Sequence, residues 1–408
     1  MKKKMQSAVL VGRYYASFLN LYLVQAYLNR WRNRQQETRF HLEAAMQWLC
    51  RAQDASGDGG VARSYSLVYN PYFKRKGWIP SYPETTGYII PTMFDYAGLA
   101  GRQELFDRAV RMAEWECKVQ METGAVQGGT IDQKPTPAIF NTGQVIFGWV
   151  RAYEETGREK FLESAVKAGR YLVEHQCADG AWRKNLSRFA SDRMSFYTYN
   201  TRTAWALLVL AEAARRPAFK DAATRNIEFA LTQQTENGWF RSNCLLDPSQ
   251  PLLHTIAYCI RGILEAGVLL GNPRYIAAAA KAADAVLERQ CKDGSLAGCF
   301  NSEWEPAVGW SCLTGDAQIA GIWGRLYQET GTQRYLDGMK QANGYLMRVQ
   351  MIDTGNPSLY GGIGGSDPIH GPYGRFEILN WAVKFFSDSL MLQLSIEKQR
   401  PRQVNRDR

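Results

Sequence analysis

A threonine at the head of an apolar, helix-like stretch recurs along this chain: Thr86 in PETTGY, Thr142 in FNTGQV, Thr201 in YNTRTAW, Thr255 in LHTIAY and Thr314 in CLTGDAQIA, with a looser sixth version in FEILNWA. Successive threonines lie 56, 59, 54 and 59 residues apart. Self-similarity at a near-constant spacing means one supersecondary unit used repeatedly, because such a unit buries its apolar face only against its neighbours. A second series runs out of phase with the first. Gln53, Gln120, Gln176, Gln233, Gln290 and Gln350 close amphipathic stretches such as FLESAVKAGRYLVEHQ. Turn signals follow at Gly57, Gly124, Asp179-Gly180, Asn237-Gly238, Asp293-Gly294 and Gly355, where glycine is expected to stop each helix in the left-handed conformation. Two markers kept in step predict six outer amphipathic helices alternating with six inner apolar ones: an all-α (α/α)6 toroid, with an extra helix before it.

Composition agrees with one large helical domain. The chain has 408 residues, 45% of them hydrophobic, and no Pro/Ser-rich linker interrupts the repeats. The expected division is a basic, aromatic N-terminal helix over 1–36, the toroid over 37–396 and a basic tail over 397–408. No uninterrupted apolar run approaches the roughly 18 residues of a membrane-spanning helix. The eight cysteines form no CxxC pair, which fits reduced thiols and a cytoplasmic setting. Of the net charge of +10, residues 1–38 carry +6 and residues 397–408 carry +3, so the repeats are nearly neutral. Nucleic acid is therefore not an expected partner. The basic, aromatic first helix, which lacks the h-region of a secretory signal, suits peripheral contact with the inner face of a membrane or with a glycan-assembly protein.

Long segments lead from outer to inner helices, and short ones such as EETGREK and LLGNPRY lead back. Long loops without structure of their own usually carry function. All six gather where the inner helices begin, a face that also collects unpaired N–H groups and positive dipole ends suited to carboxylates.

FNTGQVIFGWVRAYEETG and RFEILNWAVKFFSDSLML resemble inner-helix segments of the six-hairpin glycosidases and their relatives among polysaccharide lyases and uronate epimerases. A weaker resemblance, to the terpene-cyclase and protein-prenyltransferase toroid, lies in Gln176-Cys-Ala-Asp-Gly-Ala-Trp182 and Gln234-Thr-Glu-Asn-Gly-Trp239. The chemistry of the second group is not matched. The chain has no Asp-Asp pair, hence no DxDD or DDxxD cluster, and none of its four histidines stands at zinc-ligand spacing. Neither a metal nor a cofactor is expected.

A ring of six places inner helices one, five and six beside one another, offering Glu84, Asp316 with Gln318, and Glu377 with Asn380. Helices two to four face them with Asn141 and Gln144, Asn200 and Arg202, then His254 and Tyr258. The loops add Tyr199, Trp78, Trp310, Tyr373 and the Gly-rich GGIGGSDPIHGPYGR, expected to be a flexible flap over the mouth. Sugar hydrolysis would draw on Glu84, Asp316 and Glu377 as acid and base. Uronate β-elimination or 5-epimerisation would use Arg202 or Asn200 to hold the sugar carboxylate, with Tyr199, His254 or Tyr258 moving the proton. The expected function is that of a carbohydrate-active enzyme on an oligo- or polysaccharide, a uronate-containing bacterial or lipid-linked glycan. The rivals are a non-catalytic glycan-binding scaffold and a terpene-cyclase-like protein.

Overall fold

A computed structural model describes residue 16 and residues 21–32, 36–186 and 194–399. Most of the N-terminal segment and the basic tail beyond 399 lie outside the described residues. The first helix, α1 (Leu21–Arg32), is followed by outer helices α2 (Thr38–Ser56), α4 (Gln103–Val119), α6 (Glu159–Glu174), α8 (Pro217–Leu231), α10 (Pro273–Leu287) and α12 (Gln333–Val349). These alternate with inner helices α3 (Pro83–Ala100), α5 (Ile139–Thr156), α7 (Thr201–Ala213), α9 (Leu253–Leu270), α11 (Leu313–Thr330) and α13 (Asn380–Gln399). Each inner helix packs on the next, and α13 returns to α3, so the inner ring is closed.

The two kinds of helix follow from their patterns. In α6 the buried residues Phe161, Ala165, Ala168 and Leu172 recur at spacings of three and four, one apolar stripe laid on the inner ring. Helix α9 is buried on nearly every side, from Leu253 to Gly267. It is long and apolar enough to cross a membrane, yet 78% of it is buried inside the ring, as the core helix of a toroid should be. Inner helices α3, α5, α9 and α11 each stop at a left-handed glycine: Gly101, Gly157, Gly271 and Gly331.

The glutamine series is the mortar of the outer ring. Gln120 Nε2 donates to the carbonyls of Gly124 and of Ser164 on the next outer helix. Gln176 bonds Gly180 and Ala222, Gln290 bonds Gly294 and Gly338, and Gln53 bonds Gly59 and Arg108 in the same manner. Gln350 closes the circle on Gly361 and His41. The fourth member is Gln234, bonded to Gly238 and Ala278, and not the neighbouring Gln233. The turn glycines also differ from expectation. Gly57 does stop α2 in the left-handed conformation, as expected, but Gly59 and Gly361, not Gly57 and Gly355, hold the position bonded by the glutamines, and the glycines there are not helix stops. They are needed for their positive φ and because the next outer helix lies against them: a Cβ on Gly361 would sit 1.9 Å from the Ala44 carbonyl oxygen.

The threonine series keeps the inner helices in step only approximately. At the fourth position of α3 and α5, Thr86 and Thr142 accept the backbone N–H groups of Val61 and Val126. In α11 that position belongs to Asp316, which accepts from Leu296 N at 2.9 Å. Thr201, Thr255 and Thr314 occupy the first, third and second positions of their helices.

Short strands tie the loops together. β1 (Ser64–Asn70) pairs with β2 (Arg75–Trp78) on one side and with β5 (Glu377–Leu379) on the other, joining the first long loop to the last. β3 (Ser311–Cys312) pairs with β4 (Ser366–Asp367). The Gly-rich loop is not a loose flap. Gly361 N bonds Met351 O, Gly365 N bonds Glu377 O and Gly365 O receives Leu313 N.

Candidate functional site

Glu84 sits one residue inside α3, deep in the ring but with part of its surface open to water. The Tyr82 hydroxyl donates to its Oε2 at 2.7 Å, and Asn141 Nδ2 donates to that hydroxyl at 3.3 Å. Burial lifts the Glu84 carboxyl to about 7, against the opposing pull of the Tyr82 hydrogen bond and of the Arg202 and Arg63 charges. The carboxyl can therefore give or take a proton near neutrality.

Around it the loops and inner-helix starts assemble a continuous aromatic lining. The Tyr82 ring meets Trp381 edge-on at 6.4 Å, and Trp381 Nε1 donates to the Tyr373 hydroxyl at 2.8 Å. Tyr373 lies 5.5 Å from the His254 ring, which packs at 4.3 Å on Tyr258. Tyr258 meets Phe140 at 4.9 Å, and Phe140 meets Tyr199 at 5.2 Å. Glu84, Asn141, Tyr199, His254, Tyr258 and Tyr373 thus come together from five different repeats, as expected from a ring.

His254 is a neutral imidazole. Burial first, then the Arg202 charge, lower it to about 3. The Gln318 amide, whose nitrogen also reaches the Thr314 carbonyl, is hydrogen-bonded to Nδ1 at 2.5 Å and fixes the orientation of the ring. Burial holds the Tyr258 and Tyr88 hydroxyls well above the ordinary phenol value, and the Tyr258 hydroxyl has no hydrogen-bond partner among the described residues.

Other expected site residues are placed differently. Glu377 belongs to strand β5, not to an inner helix. Its two oxygens are taken by Arg63 Nη1 and Asn70 Nδ2. Asp316 is fully enclosed, anchoring the loop at Leu296 in the place of the earlier threonines, and burial raises its carboxyl well above the carboxylate range. It therefore stands as a loop anchor, apart from the aromatic lining. Trp78 packs between Trp48 and Tyr65, each ring 5.2 Å away, and Trp310 covers Gly298. Asn200 accepts weakly from Thr203 at the start of α7.

Arg202 lies directly behind the mouth lining, its guanidinium 5.1 Å from the Tyr258 ring and its charge acting on Glu84 and His254. Its Nε donates to Gln144 Oε1 at 2.7 Å, and its guanidinium lines a cavity of about 520 Å³ inside the ring, toward the far ends of the inner helices. The cation of the mouth is Arg63, held between the faces of Phe73 and Trp381 at 4.9 Å each. The first long loop carries Arg63 and Tyr82 to the mouth, as its place in the sequence suggests, whereas nothing in the sequence singles out Tyr88 and Trp381. The partner of Arg63, Glu377, lies over 300 residues away in the chain.

Comparison with known proteins agrees with this architecture. Residues 84–264 match the family model of the squalene-hopene cyclase C-terminal domain, a stretch that contains both Gln–Gly–Trp segments. In this chain those segments supply outer-ring staples and buried tryptophans. Among curated proteins no sequence matches the chain. Among solved structures, an unsaturated glucuronyl hydrolase specific for heparin superposes with a TM-score of 0.69 at 16% identity, covering 88% of this chain and 98% of that one. A sugar epimerase from a ruminal bacterium gives 0.69 at 15% identity, covering 89% and 98%. The cellobiose 2-epimerase of Bacillus thermoamylovorans gives 0.67 at 14%, covering 88% and 98%. With closed inner and outer rings of six helices and these neighbours, the chain has an (α/α)6 toroid fold, and the matched stretch adds a sequence similarity to the squalene-hopene cyclase C-terminal domain.

Proposed function

We propose that the chain is a carbohydrate-active enzyme whose chemistry is proton transfer at the N-terminal mouth of the inner ring, with Glu84 as the general acid and base. The observation that carries this reading is a carboxyl brought by burial to about 7, on a residue that keeps part of its surface open, beside an aromatic lining suited to sugar faces. The sugar-acting neighbours support the substrate class.

The finer reading is proton abstraction next to a uronate carboxylate, giving 5-epimerisation or β-elimination. Hydrolysis by two carboxyl groups needs a second accessible carboxylate; Glu377 is taken by Arg63 and Asn70, and Asp316 is fully enclosed, with Oδ1 on Leu296 N and Oδ2 buried without a partner among the described residues. Abstraction needs only one. Ionised Glu84 takes the proton from the sugar carbon, and Arg63 offers its remaining N–H groups to the uronate carboxylate on which the charge develops. The second proton would come from the His254 ring or the Tyr258 hydroxyl, members of the same aromatic lining.

The test is incubation with glucuronate- and galacturonate-containing oligosaccharides in deuterated water, read by mass and NMR. Deuterium uptake without cleavage supports epimerisation and an unsaturated product supports elimination. Glu84→Gln should lower either by about 100-fold or more. Cleavage with addition of water would replace this chemistry by hydrolysis, and turnover unchanged in Glu84→Gln would remove Glu84 from the mechanism.

A glycan-binding scaffold is the second reading, favoured by how many mouth groups are already satisfied by protein partners, Glu377 and Asn141 among them. Tight binding without chemical change, the same in Glu84→Gln, would select it. For location we propose peripheral membrane contact through the N-terminal helix: Leu21, Val24 and Leu28 of α1 are exposed at spacings of three and four. Deleting residues 1–36 should release the folded protein from anionic vesicles, and retention of vesicle binding would exclude that role.

A further inference from the structure

The cavity behind the mouth is built differently from the mouth itself. It is lined by Arg202, Arg261, Arg325 and Lys384 against only Asp95 and Asp388, with Tyr88, Phe147, Trp205 and Phe385 as walls. Most of its charges are matched locally. Glu265 pairs with Arg261 at 2.7 Å and with Arg325 at 2.9 Å, Asp95 pairs with Arg151 at 2.8 Å, and Lys384 pairs with Asp388. Arg202 is the exception. It is 4% exposed, and among the described residues its one hydrogen bond is from Nε to the neutral amide of Gln144. Among the described residues no carboxylate lies within ion-pair distance of it. Five rings, those of Tyr88, Phe147, Trp205, Tyr258 and Phe385, surround its guanidinium at 5.1–5.9 Å.

A buried guanidinium without a counter-ion is costly, and aromatic faces offset only part of that cost. The rings close around the guanidinium from several sides, and among the described residues its terminal nitrogens make no hydrogen bond, while the residue lines the cavity. A carboxylate or phosphate received there would accept two parallel hydrogen bonds. The volume of about 520 Å³ holds more than an inorganic ion, and Leu99, Met391 and Leu392 line the cavity as well.

We infer that this rear cavity is a second binding site, separate from the mouth, for a small organic anion: a carboxylate or phosphate head on Arg202 with an aliphatic body toward Leu99 and Met391. Its occupant completes the charge balance at the centre of the ring and is not the sugar handled at Glu84.

Gly321 allows a direct test. It lines the cavity, and a Cβ built there meets only the flexible end of Arg261, at 3.4 Å. Gly321→Leu should fill the space while leaving the fold intact and the mouth untouched. Hexanoate, hexyl phosphate and hexanol are titrated against the full chain by calorimetry and thermal shift at fixed ionic strength. One or both anions should bind saturably and raise the melting temperature, the tighter of the two assigning the head group, and hexanol should do neither. Gly321→Leu should abolish binding, and Arg202→Gln should weaken it by about tenfold or more. Hexanol binding as well as the anions, or anion binding unchanged in a folded Gly321→Leu protein, overturns the proposal. Chemistry at the mouth is not assumed by any of these measurements, so the two proposals fail separately.

Discussion

Glu84 shows how a single residue is tuned by its place in a ring. Its proton is held more tightly in the folded chain than in the unfolded one, because the ring withholds water from the ionised form. The native state therefore bears no penalty below about pH 4.5. The penalty grows as pH rises and levels off above about pH 7, where it reaches about 3 kcal/mol. Glu84→Gln should accordingly be more stable than wild type at pH 8 by up to that amount and indistinguishable at pH 4, as read from urea midpoints at the two values. In catalysis the same carboxyl sets a pH limb: a reaction begun by Glu84 as base should rise through about pH 7, and Glu84→Gln should lose that limb with the activity. Glu84 was legible in the sequence as an acid at an inner-helix start. Its partners were less so, since Tyr82, Arg63 and Trp381 are loop or junction residues brought together by ring closure.

At the scale of the element, the repeating device is one glutamine that ends an outer helix and bonds two carbonyls, one in its own turn and one on the next outer helix. Its amide is placed by the turn glycine, whose missing Cβ lets the neighbouring helix approach. Gln120→Ala leaves the carbonyls of Gly124 and Ser164 without this donor, and should lower stability by about 1–3 kcal/mol. Gly294→Ala should cost more. Its φ is +89° and a Cβ would stand 2.1 Å from the Gln341 carbonyl oxygen, so two backbones must move apart. Chemical denaturation of the two variants checks both the loss and the order. The glutamine spacing was readable without coordinates, but the adjacent pair Gln233 and Gln234 could not be resolved that way. Only the direction of each side chain separates the staple from its neighbour.

For the whole molecule, closure is the decisive property. Gln350 reaches His41 and Gly361, Asn380 reaches Ala62 and Thr85, and β5 pairs with β1, so the ends of the repeat array hold each other. A chain ending before Asn380 should lose more than one helix, because α2 and α3 would both lose their packing against α13. We expect one cooperative melting transition for the full chain, and for the truncated chain a loss of tertiary signal spread over the ring, as measured by calorimetry and near-UV dichroism. The order of twelve helices, their inner or outer character and the side on which the long loops gather all follow from local rules of periodicity and spacing, which a sequence states directly. What each polar group faces does not. Asp316 and Glu84 are both acids in the first turns of inner helices, yet one is enclosed as a loop anchor and the other opens on the mouth. Glu377 and Arg63 neutralise each other from opposite ends of the chain, and Arg202 lines a cavity behind the mouth. Those outcomes depend on rotation about a helix axis and on contacts between distant segments, and only the closed ring decides them.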